Sequence, residues 1–117
     1  MASNVIFFAW NRSIPGREQT SAAHFGEFVQ YLTENQQQGK ISSFEPVFLN
    51  PHGGDLNGFV LIRGESSSLD ALMSSDAFRE HMMRGALHLE GSGAVRGVAG
   101  DEVSGQMARW TELTKNV

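Results

Sequence analysis

Two histidines are the first candidates for chemistry, because imidazole exchanges protons near neutral pH. His52 stands in the segment Pro-His-Gly-Gly-Asp, where Asp55 could orient its ring and Gly53 and Gly54 let a ligand approach the backbone. His24 lies on a predicted helix. We identify His52 and His24 as candidate acid–base residues. The alternative is that His52 belongs to an ordinary turn and that His24 only flanks the core.

Charged side chains on the predicted strands form a second group. Arg63 shares the phase of Phe59 and Leu61, Arg96 lies on the last strand, and Glu45 could pair with either arginine. An arginine in an apolar cleft suits a carboxylate, a phenolate or an enolate, so all three charged residues are candidate substrate contacts. The alternative is an internal ion pair that stabilises packing and binds nothing.

Trp10 closes the first predicted strand and is a further candidate substrate contact, with a place in the core or in a dimer interface as the alternative. No metal site is expected. The chain has no cysteine, and His81 and His88 are seven residues apart on one helix, whereas imidazoles three or four apart converge on one ion. The glycine-rich segment 91–97 follows a helix rather than a strand, so no dinucleotide or other cofactor is predicted.

Composition narrows the class of protein. The 117 residues suit one domain, and the net charge of -4 provides no basic field for nucleic acid or an anionic membrane. The N-terminal segment lacks the basic flank of a signal peptide, and no apolar run approaches the roughly 20 residues that span a bilayer. We therefore expect a soluble, cytoplasmic protein.

Hydrophobic periodicity predicts the elements that position these residues. The predicted strands are 5–10, 41–49, 57–63 and 94–99. One helix is predicted at 17–38 and another from Val103. Between the last two strands lies a two-part helix that ends near Leu89; Ser67 or Ser68 caps its first part, and Ser75 caps its second. This order is a split βαβ unit: a four-stranded antiparallel sheet with both helices on one face. We predict a single α+β, ferredoxin-like domain over residues 1–117 with an extra C-terminal helix.

The first and third of these strands are apolar on both faces. In the first, Val5, Phe7 and Ala9 alternate with Ile6, Phe8 and Trp10. The helices can cover one face only, and a bare apolar face is unfavourable in water. The pattern predicts a homodimer through the sheet faces, with a pocket between them. The alternative is that the C-terminal helix covers that face within one chain.

The segment GFVLIRG followed by SLDALMSSDAFREH resembles the corresponding half of the dimeric α/β-barrel superfamily, which includes antibiotic-biosynthesis-monooxygenase-like, EthD-like and YCII-like families. The likeness runs from Asn4 to about Gly100. Within this group the chain is most similar to an uncharacterised family, through AWNRSIPGRE, FEPVFLNPHGGDLNGF and VRGVAGD. The resemblance implies ferredoxin-like subunits paired as a barrel. It transfers no catalytic residue, since no characterised motif matches.

Two classes of function follow. In the first, the pocket between the sheets holds an aromatic or polyketide-like acid. Oxygenase-like or isomerase-like chemistry then proceeds there without a cofactor, a histidine moving a proton and an arginine stabilising an anion. In the second, the dimer is a non-catalytic ligand-binding or stress-associated module. An open cavity with a histidine facing it favours the first, and a space packed with Phe7, Phe59 and Leu61 favours the second.

Overall fold

The computed structural model describes residues 3–117. The strands in this range are β1 (Val5–Trp10), β2 (Arg12–Ser13), β3 (Ser43–Phe48), β4 (Gly58–Arg63), β5 (Leu89–Glu90) and β6 (Gly93–Gly97). The helices are α1 (Glu18–Gln37), α2 (Ser66–Ser74), α3 (Asp76–His88) and α4 (Glu102–Thr114). No helix in residues 3–117 has the length and hydropathy needed to cross a membrane.

The main sheet is antiparallel, with strand order β3-β4-β1-β6. Its register places Phe7 of β1 opposite Leu61 of β4 on one side and Val95 of β6 on the other. This α+β arrangement confirms the predicted four-stranded antiparallel sheet and is consistent with a ferredoxin-like fold. A two-residue ribbon of β2 and β5 was not predicted, because two residues carry no periodicity.

The core lies between one sheet face and the helices. Alternation sends Ile6, Phe8, Val60 and Ile62 to the same side, where all four are buried. The helices pack against this side with buried residues, which within α1 and α2 are three or four positions apart, as expected for amphipathic helices. These are Phe28 and Leu32 of α1, Leu69 and Leu72 of α2, and Phe78 of α3.

Helix boundaries follow the local hydrogen bonds. Ser75 caps α3 as predicted, because its Oγ accepts a hydrogen bond from the backbone N–H of Phe78 at 3.2 Å. The prediction that Ser67 or Ser68 caps α2 is wrong. The Leu69 N–H already bonds to the carbonyl of Glu65 at 2.9 Å, so both serines lie inside the helix.

The outer sheet face has no cover within the described chain. Phe7, Phe59 and Leu61 are half-buried there, and Val95 is 59% exposed. None of the residues of α4 is buried, so this helix does not shelter the face, contrary to the single-chain alternative. The chain is correspondingly extended, with a radius of gyration of 16.0 Å, against about 13 Å for a compact domain of this length.

Candidate active site

A cleft of ≈ 330 Å³ opens between α1, α3 and the ends of β1 and β3. Its apolar lining is mostly aromatic and includes Phe8, Trp10, Phe25, Phe28 and Phe48. Its polar lining consists of Ser13, Ser21, His24, His81 and His88. We call it the histidine cleft. Apolar walls with a few convergent polar groups are typical of small-molecule sites.

The polar side chains of the cleft form one continuous series of hydrogen bonds, which we call the histidine relay. Ser13 Oγ donates to Ser21 Oγ at 2.6 Å, and Ser21 Oγ lies 2.7 Å from His88 Nδ1. His88 Nε2 lies 2.8 Å from His24 Nδ1, and His24 Nε2 lies 3.0 Å from His81 Nδ1. Five side chains thus connect two ends of the cleft.

Helix geometry explains why these residues meet. Ser21 and His24 are three residues apart on α1 and therefore share a face. His81 and His88 are seven residues apart on α3, which is close to two turns, so they also share a face. Because α1 and α3 pack side by side, the two faces oppose each other. The pairing of β2 with β5 brings Ser13 to the end of α3.

The relay has two self-consistent proton arrangements when all three rings are neutral, because each neutral imidazole donates from one nitrogen and accepts at the other. If Ser21 donates to His88, every later ring donates toward His81, and His81 Nε2 carries a proton. If every ring donates the other way, His81 Nε2 is an acceptor. The hydrogen bonds within residues 3–117 leave this nitrogen unengaged, and His81 lines the cleft, so this end of the relay is available as an acid or as a base.

Burial keeps the rings neutral. It lowers the pKa of His24 to about 4, with a smaller contribution from the positive charge of Arg84. The pKa values of His81 and His88 are lowered by the same two causes in the same order. Arg84 is itself paired with Glu27, an exposed carboxylate of α1. At neutral pH the relay is therefore an uncharged network in an apolar setting.

The relay is not arranged as a metal site. His24 directs its two nitrogens at two different neighbours, so the rings are linked in series and do not converge on one point. Within residues 3–117, no three histidine, aspartate or glutamate side chains are placed to hold one ion.

A second cleft, of ≈ 420 Å³, lies between α1 and α2 and is lined by Tyr31, Glu34, Asn35 and Lys40, among others. It contains neither histidine nor arginine. We assign the candidate site to the histidine cleft despite its smaller volume, because coupled titratable groups mark functional sites better than size does.

The predicted site residues fall into two groups. His24 and Trp10 line the histidine cleft together. His52 lies away from it in an exposed loop, with its Nδ1 3.0 Å from the carbonyl oxygen of Asn50.

The three predicted charged contacts also lie outside the cleft. Arg63 forms an ion pair with Glu45 at 3.8 Å. The packing alternative described an internal pair, whereas both side chains lie at the surface. Arg96 donates to the carbonyl oxygens of Val5 at 3.3 Å and of Ser3 at 2.7 Å, and it pairs with Asp70. These contacts join β6 to the start of β1 and to α2.

Sequence reasoning did not identify Ser13, Ser21, His81 or His88 as site residues. The available signal was Ser21 and His24 on one face of α1 and two histidines on one face of α3. For the two histidines, the spacing of seven residues indicates only that they do not chelate one metal ion. Nothing in the sequence shows that these two faces oppose each other.

Comparison with known proteins adds no assignment: no protein-family model matches the chain, and neither does any curated protein.

Proposed function

We propose that this protein is an enzyme that moves a proton within a small aromatic or polyketide-like acid bound in the histidine cleft, by isomerase-like chemistry without a cofactor. One observation carries the proposal: the relay of three imidazoles ends at His81, a lining residue of the aromatic cleft whose Nε2 has no hydrogen bond within residues 3–117. General acid–base catalysis requires a titratable group with an available nitrogen beside the substrate.

In this mechanism His81 Nε2 accepts a proton from the substrate. Each ring that gains a proton at one nitrogen can pass the proton of its other nitrogen to the next ring. Every hydrogen bond of the relay then still contains one hydrogen, and the positive charge is shared along His81, His24 and His88. The proton then returns through His81 Nε2 to a different atom of the substrate. One proton leaves and one returns, which is the balance of a tautomerisation.

The lowered pKa values of the rings restrict the substrate. A weakly basic imidazole removes only a proton that is already acidic, such as that on a carbon beside a carbonyl group that can enolise. The aromatic lining favours a flat apolar body, since the rings of Phe28 and Trp10 are centred 5.4 and 5.5 Å from that of Phe8. An enolisable aromatic keto acid satisfies both requirements.

The test uses phenylpyruvate as the probe, with keto–enol conversion followed by ultraviolet absorption. We expect conversion above the buffer rate, and we expect His81→Gln to lower it at least tenfold. His52→Gln is the matched control and should leave the rate unchanged, because His52 lies outside the cleft. Equal rates for wild type and His81→Gln would refute the proposal.

A non-catalytic binding module is the second candidate, favoured by the mostly apolar surface of the cleft. It predicts that phenylpyruvate perturbs the resonances of Phe28 and Trp10 without being converted. Binding with no conversion above the buffer rate would favour this function over the enzyme.

We also propose that two copies associate through their outer sheet faces, as in dimeric α/β barrels. The support is the apolar character of that face and the size of the surface. The chain exposes 7410 Å², about 1,100 Å² more than a compact monomer of its mass. A standard interface buries about 800 Å² of each partner. The excess is of that order, although the fully exposed helix α4 contributes to it.

Analytical ultracentrifugation tests the association. We expect a dimer for the wild type and a monomer for Leu61→Glu, because a charge at the centre of the buried face is not compensated. Ser42→Glu, at an exposed position beside β3, is the control and should remain dimeric. A monomeric wild type at high concentration would contradict the proposal without affecting the histidine cleft.

A further inference from the structure

We propose a further activity for the histidine cleft: Ser21 is a nucleophile, activated by His88 and oriented through His24, that transfers acyl groups from small esters. This activity shares the cleft with the proton transfer proposed above but uses the opposite end of the relay. Neither the sequence pattern nor the comparisons assign a role to Ser21.

The geometry is that of an activated hydroxyl. Ser21 Oγ lies 2.7 Å from His88 Nδ1, within the range expected for a nucleophile and its general base. His88 Nε2 lies 2.8 Å from His24 Nδ1, so the base is held by a third group on its far nitrogen. Nucleophile, base and orienting group in this order are the signature of covalent catalysis by serine.

The proton arrangement needed for nucleophilic attack is one that the relay already allows. Ser21 donates to His88 Nδ1, His88 Nε2–H donates to His24 Nδ1, and His24 Nε2–H donates to His81. His24 thus takes the place that a carboxylate occupies in other catalytic triads, as a neutral acceptor. Ser13 donates to Ser21 Oγ at 2.6 Å and so helps to hold the hydroxyl in place beside His88.

The reaction balances with an ester and water. Ser21 Oγ bonds to the carbonyl carbon, the carbonyl π electrons move to its oxygen, and the hydroxyl proton passes to His88 Nδ1. The tetrahedral adduct collapses, the bond from carbon to the alcohol oxygen breaks, and His88 gives its proton to the departing alcohol. Water then attacks the acyl-serine carbonyl, His88 takes the proton of that water, and Ser21 Oγ regains it as the carboxylic acid leaves.

Access supports this role. Ser21 is half-buried and His88 is 4% exposed, and both side chains line the cleft. A substrate, and the water that hydrolyses the acyl-serine, can reach both groups from the cleft, while the low exposure of His88 limits its contact with bulk solvent. The aromatic wall includes Phe25 and Phe48, whose rings are tilted against each other at a centroid distance of 5.1 Å, and it suits an ester with an aryl group.

A fluorophosphonate probe tests the proposal, because it phosphonylates activated serines and leaves ordinary hydroxyls unmodified. We expect intact-mass analysis of the full chain to show one adduct and peptide mapping to place it on Ser21. His88→Gln should lower the labelling rate at least a hundredfold. Ser67→Ala, which removes an exposed serine of α2, is the control and should label like the wild type.

Two results would overturn the proposal: no adduct on the folded wild type, or an adduct on any other serine. Mapping of the wild type locates the adduct even if the Ser21→Ala variant fails to fold. His81→Gln separates the two activities. It should lower phenylpyruvate conversion at least tenfold, whereas labelling should fall less than tenfold, because Ser21, His88 and His24 are retained and the amide oxygen of glutamine can still accept from His24 Nε2. Labelling of Ser21 without phenylpyruvate conversion would contradict only the proton-transfer function.

Discussion

The burial of His24 makes stability depend on pH in a defined window. The ring is 7% exposed, and its pKa is lowered from 6.5 to about 4, first by burial and then by Arg84. The unfolded chain therefore binds more protons than the folded chain between these two values. The stabilising contribution is complete above pH 6.5 and is lost as the pH falls toward 4.

The magnitude follows from linkage. Between pH 7.5 and 5.0 the His24 shift lowers the free energy of unfolding by about 2 kcal/mol. This figure is an upper limit, because water reaches the rim of the cleft, where Phe48 is 66% exposed. The lowered pKa values of His81 and His88 act in the same direction. Staying above pH 5 avoids most of the titration of Glu27, whose pKa is lowered by its pairing with Arg84.

Urea denaturation at pH 7.5, 6.0 and 5.0 measures the effect. We expect the wild type to lose stability steadily and His24→Gln to lose clearly less, whatever its stability at pH 7.5. His52→Gln removes an exposed histidine outside the relay and should follow the wild type. The reasoning fails if wild type and His24→Gln have parallel profiles, differing by less than about 0.5 kcal/mol over this range.

Three other substitutions test the packing that builds the cleft. Gly58→Ala should lower the free energy of unfolding by about 1–3 kcal/mol and shift the tryptophan emission, because the new Cβ would lie 2.4 Å from the Trp10 ring. Gly93→Ala is the control and should change neither, because the space around Gly93 is open. Phe78→Ala should cost about 3–5 kcal/mol in urea denaturation, because the ring is fully buried, and a cost below 1 kcal/mol would contradict that placement. Ser75→Ala should cost about 1 kcal/mol through the lost cap of α3, and no change in thermal midpoint would show that the cap is unimportant.

The fold was largely predictable because its signals are local. The run from Val5 to Trp10 predicted β1 with its observed bounds, and Gly39 marked the end of α1 to within two residues. Turn residues and hydrophobic periods act over a few neighbours, so the sequence displays them directly. The four-stranded antiparallel sheet then followed from the split βαβ pattern.

The site was not predictable in the same way. His24 and Trp10 were selected from the sequence, but the partners of His24 are 57 and 64 residues away along the chain. The sequence shows that His24 lies on one face of α1 and that His81 and His88 share a face of α3. Only the packing of α1 against α3 brings these faces together as one site.

By itself, therefore, the sequence determined an α+β sheet with one face too apolar for its own helices to cover. Only the tertiary structure decided that the titratable groups gather on the helix side of that sheet. The physical reason is that a hydrogen-bonded series of side chains requires alignment to within about 3 Å, which is set by helix packing and not by spacing along the chain.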